Sequence, residues 1–289
     1  MGDADFALPP APSLLIIGSP VLSESLVRRV VRLALGAVLI VCSAASAASA
    51  QLSFLAPSEP APQSTPAPTP PPASGTSFAG RLLRDVGSDY KNFFSVENAW
   101  ILGIGGGAAL AVHPADKSVA EHFQAENLTL HGGEVWGSEL FQMPLAVGWW
   151  AVGAAAGSDS QAAVGRDLLR AQIQAVSWTY AIKLATNRTR PNGDTHSFPS
   201  GHASASFATA MVLQEHFGWK AGVPAFAAAG YTAYSRLAGN DHWTSDVVFG
   251  AAIGIACGRT VTLHMRRVYV APVALHRGAG VFVTVTDWP

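Results

Sequence analysis

The apolar positions of this chain fall into long, nearly uncharged runs with helical spacing. Between Arg81 and Phe94, Leu82, Leu83, Val86, Tyr90 and Phe93 recur at the intervals that place them on one face of an amphipathic helix. Uncharged runs follow at 98–114, 140–158, 171–182, 203–214, 221–235 and 247–258. They are rich in Ala and Gly, which lets helices approach one another closely. Only 140–158 comes near the about 20 residues a helix needs to cross a bilayer. The pattern therefore predicts an all-α fold, a compact bundle of about six or more short apolar helices rather than a set of membrane spans. At the C-terminus the period changes. VYVAPVAL and VFVTVT are β-rich runs on either side of HRGAG, which predicts a short β-hairpin around a Gly-containing turn. There is no internal repeat.

The N-terminal part has a different character. Arg28, Arg29 and Arg32 precede the apolar run LALGAVLIVCSAASA, and Ala48-Ser49-Ala50 supplies a small-residue cleavage pattern. The segment reads as a secretory signal, with the mature chain starting near Gln51. The residues before it, with Asp3, Asp5 and Glu24, are long for a basic leader and suggest a later start codon at Val21 or Val27. LIVC at 39–42 resembles a lipoprotein box, but Val41 is too large for the position before Cys42. From 56 to 72 there are eight prolines and one charge, Glu59, so this stretch reads as a semi-extended linker without helix. The expected organisation is thus a leader at 1–50, a linker at 51–77, a helical domain at 78–265 and a hairpin at 266–289.

Composition narrows the class of protein. Hydrophobic residues make up 49% of the 289 and charged residues only 13%, about half the usual share for a soluble domain. The core is either large and helical or partly in contact with lipid. A net charge of −1 gives no support to nucleic-acid binding. The two cysteines, Cys42 and Cys257, are far apart and one lies in the leader, so neither a disulfide framework nor a zinc site is expected.

Three clusters inside the helical region carry candidate chemistry. KLATNRTRP contains Lys183, Arg190 and Pro191; FPSGH contains Pro199, Ser200, Gly201 and His202; SRLAGNDHWTSD contains Ser235, Arg236, His242 and Asp246. Lys183 sits near the end of a long helical pattern, with Arg190 two turns later at a break set by Pro191. Ser200 is a good N-cap for the Ala-rich helix that follows. The free N–H groups of such a helix start attract phosphate, and Gly201 lets the backbone come close. Asn240 or Asp241 would cap another helix, with His242 in its first turn and Asp246 one turn along on the same face, close enough to hold the imidazole. Three fixed cations, two histidines and one carboxylate suit phosphoryl transfer to an activated nucleophile.

The order K-x6-RP, PSGH, SR-x5-H-x3-D resembles the three-part signature of the type-2 phosphatidic acid phosphatase and vanadium haloperoxidase superfamily, which bacterial class A non-specific acid phosphatases share. All eleven specified positions are present, in order. The resemblance implies a metal-independent, cofactor-free phosphatase. In it His242 attacks phosphorus and forms a phosphohistidine, with Asp246 fixing its tautomer. His202 protonates the leaving oxygen and then activates water. Lys183, Arg190, Arg236, Ser200 and the Gly201 N–H hold the phosphate oxygens. Only seven residues separate the first two motifs, which leaves little material for a lid.

Other patterns have plainer readings. LGIGGG at 102–107 lies in an apolar helical run with no strand before it, so close helix packing explains it better than a dinucleotide loop. His113, His122 and His131 lack the i, i+4 spacing of a helical metal site and read as surface histidines. Asn127-Leu128-Thr129 and Asn187-Arg188-Thr189 match glycosylation sequons, a common chance match. The expected protein is therefore an exported phosphatase of the periplasm or cell envelope. It would act on phosphomonoesters or on lipid phosphates and pyrophosphates, and its composition also fits membrane association. The alternatives are a vanadate-dependent haloperoxidase on the same site and a non-catalytic envelope protein that keeps the bundle.

Overall fold

The computed structural model describes residues 78–126, 130–263, 266–275 and 278–287. The leader and linker predicted from the sequence lie outside these residues. In chain order the helices are α1 (Phe78–Asn92), α2 (Val96–Val112), a 3-10 turn (His113–Ala115), α3 (Asp116–Glu126), α4 (His131–Gly137), α5 (Glu139–Ala155), α6 (Asp159–Thr186), α7 (Gly201–Phe217), α8 (Trp219–Ala238) and α9 (Thr244–Thr262). Strands β1 (Arg266–Leu275) and β2 (Gly278–Asp287) pair antiparallel, from Arg266 opposite Asp287 to Leu275 opposite Gly278. The fold is all-α with the expected terminal hairpin. Each of the six uncharged runs lies on a helix, or ends within a few residues of one.

α9 is the axis of the bundle. Every residue from Thr244 to Thr262 except Phe249 is buried, and a helix buried on all sides belongs in the centre of its domain. Its packing against α7 is backbone to backbone. A Cβ at Gly250 would lie 2.5 Å from the Ser200 carbonyl, one at Gly258 would lie 2.7 Å from the Ala208 carbonyl, and one at Gly254 would collide with the Ser204 carbonyl. The contacts advance together along both chains, so α7 and α9 run parallel and begin at the same end of the bundle. Phe207, Met211, Ile253 and Ile255 fill the space beside this glycine ridge, each worth about 1.5–3 kcal/mol of burial.

The helix boundaries have local causes. Ser95, Ser138, Ser158 and Ser200 cap α2, α5, α6 and α7 with their hydroxyls. α6 runs well beyond the predicted 171–182 because Ser158 starts it early. It ends at Asn187, which adopts a left-handed conformation (φ 41°) and returns its N–H to the Lys183 carbonyl at 2.9 Å. The break therefore comes from Asn187, four residues before the Pro191 that the sequence suggested. On α1 the apolar face is narrower than its pattern: Phe93 is buried, but Leu83 is 73% exposed. Two short helices, α3 and α4, occupy sequence that reads as polar connection.

Among the described residues no single helix is long and apolar enough to cross a membrane. The bent pair Phe78–Asn92 and Val96–Gln124, 66° apart, meets the length and composition for one when taken together. The outer faces of α2, α5 and α8 are apolar nonetheless, with Trp100, Leu110, Leu140, Val152, Val223 and Tyr231 exposed.

The glycine ridge gives a paired test. Gly254→Ala should destabilise by about 1–3 kcal/mol from overpacking, more than its gain in helix propensity. Gly103→Ala, on α2 with nothing within 4 Å of the new methyl group, should be neutral or stabilising by up to about 1 kcal/mol. Thermal denaturation of the two variants checks the pair; equal melting temperatures would contradict the close crossing of α7 and α9.

Candidate active site

The three motifs meet where α7 and α9 begin. Lys183 comes from the last turn of α6, Arg190 from the loop after it, Ser200, Gly201 and His202 from the start of α7, Arg236 from the last turn of α8, and His242 and Asp246 from the start of α9. All of the predicted site residues thus lie at one end of the bundle. A cavity of about 450 Å³ bounded by Arg81, Asp85, Arg166, Arg170 and Leu263 lies at the other end of α9, away from these residues.

Asp246 is fully buried and is the best-satisfied group in the site. Its Oδ2 accepts the Trp243 N–H at 2.9 Å and the Ser197 hydroxyl, and its Oδ1 accepts Arg188 Nη1 at 2.6 Å. Its own carbonyl accepts the Ser200 N–H at 3.0 Å, which ties the start of α9 to the start of α7. Burial works against the charged carboxylate, but these donors, with His242, outweigh it and hold the pKa below the usual carboxylate range.

His242 lies one residue before the N-cap, Trp243, instead of in the first turn as its sequence spacing suggested. The reason is the bond from Asp246 back to the Trp243 N–H, which fixes Trp243 as the cap and Asp246 as the third residue of the helix. The His242 Nδ1 sits 3.6 Å from Asp246 Oδ2, an ion-pair distance longer than a hydrogen bond, as is common in unliganded catalytic sites. Burial lowers the imidazole pKa, helped by Lys183 and Arg190 and opposed by Asp246, which favours the neutral form of His242.

The cations crowd one another. Burial brings Lys183 down to about 8, with the charge of Arg190 next; Asp246 and Glu139 pull the other way. Lys183 Nζ is steered by the carbonyls of His196 at 2.5 Å and Ser197 at 3.4 Å. The Arg190 Nε is buried with no hydrogen-bond partner among the described residues. Arg236 is held at 3.0 Å by Asp241 and at 3.3 Å by the Ser235 hydroxyl. His202 feels all of them: burial first, then Arg236, His242, Arg190 and Lys183 push its pKa down to about 3. A cluster of cations that disfavours a further proton suits an anion.

Ser200 caps α7, its Oγ accepting from the Ala203 N–H at 3.5 Å. Gly201 is the first helical residue and leaves the turn open beside Thr179 and Glu139. The loop from 187 to 200 is pinned by Ser197 N–H to the Arg188 carbonyl at 2.8 Å and by the Trp243 indole to the Thr189 carbonyl at 2.7 Å.

Three residues beside the motifs were not identified from the sequence. Arg188 bonds to Asp246, Asp116 and Ser245; Asp116 bonds to Ser245 and His113; and Glu139 stands beside Gly201 and Lys183. Arg188 left one legible signal, a second arginine within the first motif. His113 was expected to be a plain surface histidine. It is exposed, yet its Nδ1 lies 3.0 Å from Asp116 and 3.2 Å from Arg188.

Parts of the chain are similar to known proteins. Residues 167–269 match the family model of the PAP2 superfamily. A stretch of 82 residues, 27% of this chain, is 39% identical to the Lipid A 1-phosphatase of Porphyromonas gingivalis. The chain spans 18% of that relative's length. A crystal structure of a transmembrane PAP2-type phosphatidylglycerolphosphate phosphatase from Bacillus subtilis aligns with a TM-score of 0.48 at 20% identity, over 58% of this chain and 94% of that one.

The lowered pKa of Lys183 makes anion binding pH-dependent in one direction. As pH rises through about 8 the ammonium loses its proton and the site loses one of its cations. Sulfate, whose own charge is constant over this range, should therefore bind progressively more weakly above pH 8. Lys183→Arg, whose guanidinium stays protonated, should flatten the profile. Calorimetric titration at pH 6 to 10 checks both; an unchanged profile in the arginine variant would contradict the assignment.

Proposed function

We propose that this protein is a phosphohydrolase that removes a terminal phosphoryl group from a lipid-borne phosphate through a phosphohistidine on His242. The observation that carries the reading is the cluster of three cations, Lys183, Arg190 and Arg236, grouped with His202 and His242 at the start of α7. Phosphoryl transfer needs little covalent chemistry from the protein and much fixed positive charge, which this cluster supplies. His242 attacks phosphorus in line with the leaving oxygen, and Asp246 supports the imidazolium that forms. The phosphate dianion sets two negative charges against the cations. That lifts the His202 pKa from about 3 toward the range in which the imidazole carries a proton to donate. With the leaving group gone, neutral His202 takes a proton from the water that releases phosphate.

The lipid assignment rests on two supports: the partial similarity to a lipid A phosphatase, and the large apolar side chains exposed on α2, α5 and α8, which suit contact with acyl chains. The arginine-led apolar leader and its Ala48-Ser49-Ala50 pattern support export to the envelope.

The leaving group tests the reading. His202→Ala should cut turnover of alkyl phosphates by roughly two to four powers of ten. Phosphorylation by activated aryl phosphates, which need little protonation, should suffer much less. Steady-state and burst kinetics on both substrate types, with EDTA present throughout, decide it. Wild-type activity should survive the chelator and be blocked by vanadate; loss in EDTA with recovery on added zinc or magnesium would overturn the reading.

A further inference from the structure

Asp116 lies outside all three motifs, yet it is 3% exposed and aims at the start of α9. It is the first residue of α3, brought there by the 3-10 turn at His113–Ala115. Its Oδ1 accepts the Ser245 N–H at 3.0 Å; its Oδ2 accepts the Ser245 hydroxyl at 2.6 Å and Arg188 Nη2 at 2.8 Å, with His113 Nδ1 at 3.0 Å. The other arm of the guanidinium, Nη1, donates to Asp246 Oδ1 at 2.6 Å and to the Ser245 hydroxyl at 2.8 Å. One arginine therefore bridges two buried carboxylates, and a serine hydroxyl closes the ring.

We propose that Asp116, acting through Arg188, is a positioning residue for Asp246 and hence for the nucleophile His242. The inference rests on the phosphohydrolase reading above and deepens it. The guanidinium is a planar fork, so anchoring one arm on Asp116 fixes where the other meets Asp246. With Oδ1 held there, Oδ2 must face Ser197, the Trp243 N–H and His242 Nδ1. Asp116 also shares the positive charge of Arg188, leaving Asp246 enough negative potential to support an imidazolium. Without Asp116 the whole charge of Arg188 falls on Asp246, and the carboxylate is drawn away from the ring. The side chains of Lys183, Arg190 and Arg236 make no hydrogen bond to Asp116, Arg188, Ser245 or Asp246 among the described residues, so the effect falls on kcat more than on KM.

Asp116→Asn should therefore lower kcat by roughly tenfold to a hundredfold with KM changed less than about threefold, the size expected when a reacting group is slightly misplaced. The discriminating measurement is a double-mutant cycle with Asp246→Asn. A residue that acts through Asp246 adds less than about threefold in the Asp246→Asn background; a residue that only supports the fold multiplies its loss there and lowers the melting temperature in proportion. Ser245→Ala keeps both carboxylates and the Ser245 N–H but removes the bridging hydroxyl. It should reproduce a smaller kcat loss at constant KM, and it carries the test if the asparagine variant does not fold. Wild-type kcat in Asp116→Asn or Ser245→Ala, or a fully multiplicative cycle, overturns the assignment. A wild-type protein that hydrolyses no phosphate ester would contradict the phosphohydrolase reading instead. In that case the ¹⁵N resonances of His242 report positioning directly: a shift in Asp116→Asn supports the network, and an unchanged spectrum overturns it.

Discussion

Asp246 binds four residues, three along the loop from 187 to 200 and one at the start of its own helix. Through its side chain it holds Arg188 of the first motif segment, Ser197 of the loop before the second, and the N–H of Trp243 that starts its own helix. Through its carbonyl it holds Ser200, the cap of α7. A carboxylate buried without partners would cost several kcal/mol, and it stays ionised only because charged and polar donors surround it. The same bonds fix the relative position of α7 and α9, whose glycine ridge brings the two helix starts side by side. The hydrogen bonds that order the site and the packing that orders the bundle are thus one set of contacts.

Around that fixed anion the protein gathers more positive charge than it neutralises. Arg188 is spent on carboxylates and Arg236 is partly matched by Asp241, but the charge of Arg190 adds to burial in lowering the Lys183 pKa, and both cations help to lower that of His202. Holding cations together in this way costs stability in the unliganded protein, and on the phosphohydrolase reading a phosphoryl group returns it on binding. That exchange is the physical reason a site of this kind favours the charge-dense pentacoordinate state over neutral ligands. Glu139, whose own pKa burial raises, is the acidic group on the open side of Gly201.

Much of this was legible in the sequence because it rests on local rules. Runs of Ala and Gly without charge mark helices that must be buried, and Ser200 before an Ala-rich run marks a helix start beside an anion. The motif spacing named the eight site residues, and the structure places them together. What was not legible depends on tertiary contacts. α3 buries little beyond Val119 and Phe123, and α4 is seven residues long with glycines seated against Thr232, Ser235 and His202, so neither shows an apolar period. Leu83 follows the helical pattern of α1 but no neighbour among the described residues covers it. His242 falls outside the first turn of α9 because the carboxylate of Asp246 competes for the capping role, a choice that spacing alone does not decide. The partnership of Asp116 with Arg188 joins residues 72 positions apart and leaves no periodic trace.

The central claim is that His242 is the nucleophile of this network. Rapid quenching of the protein with a phosphate ester labelled in its phosphoryl group, followed by peptide mapping at alkaline pH, tests it most directly. The account predicts acid-labile label on His242, accumulating further in His202→Ala, where hydrolysis of the intermediate lacks its base. Label on His202 or Ser200, or turnover that persists in His242→Asn, would contradict it.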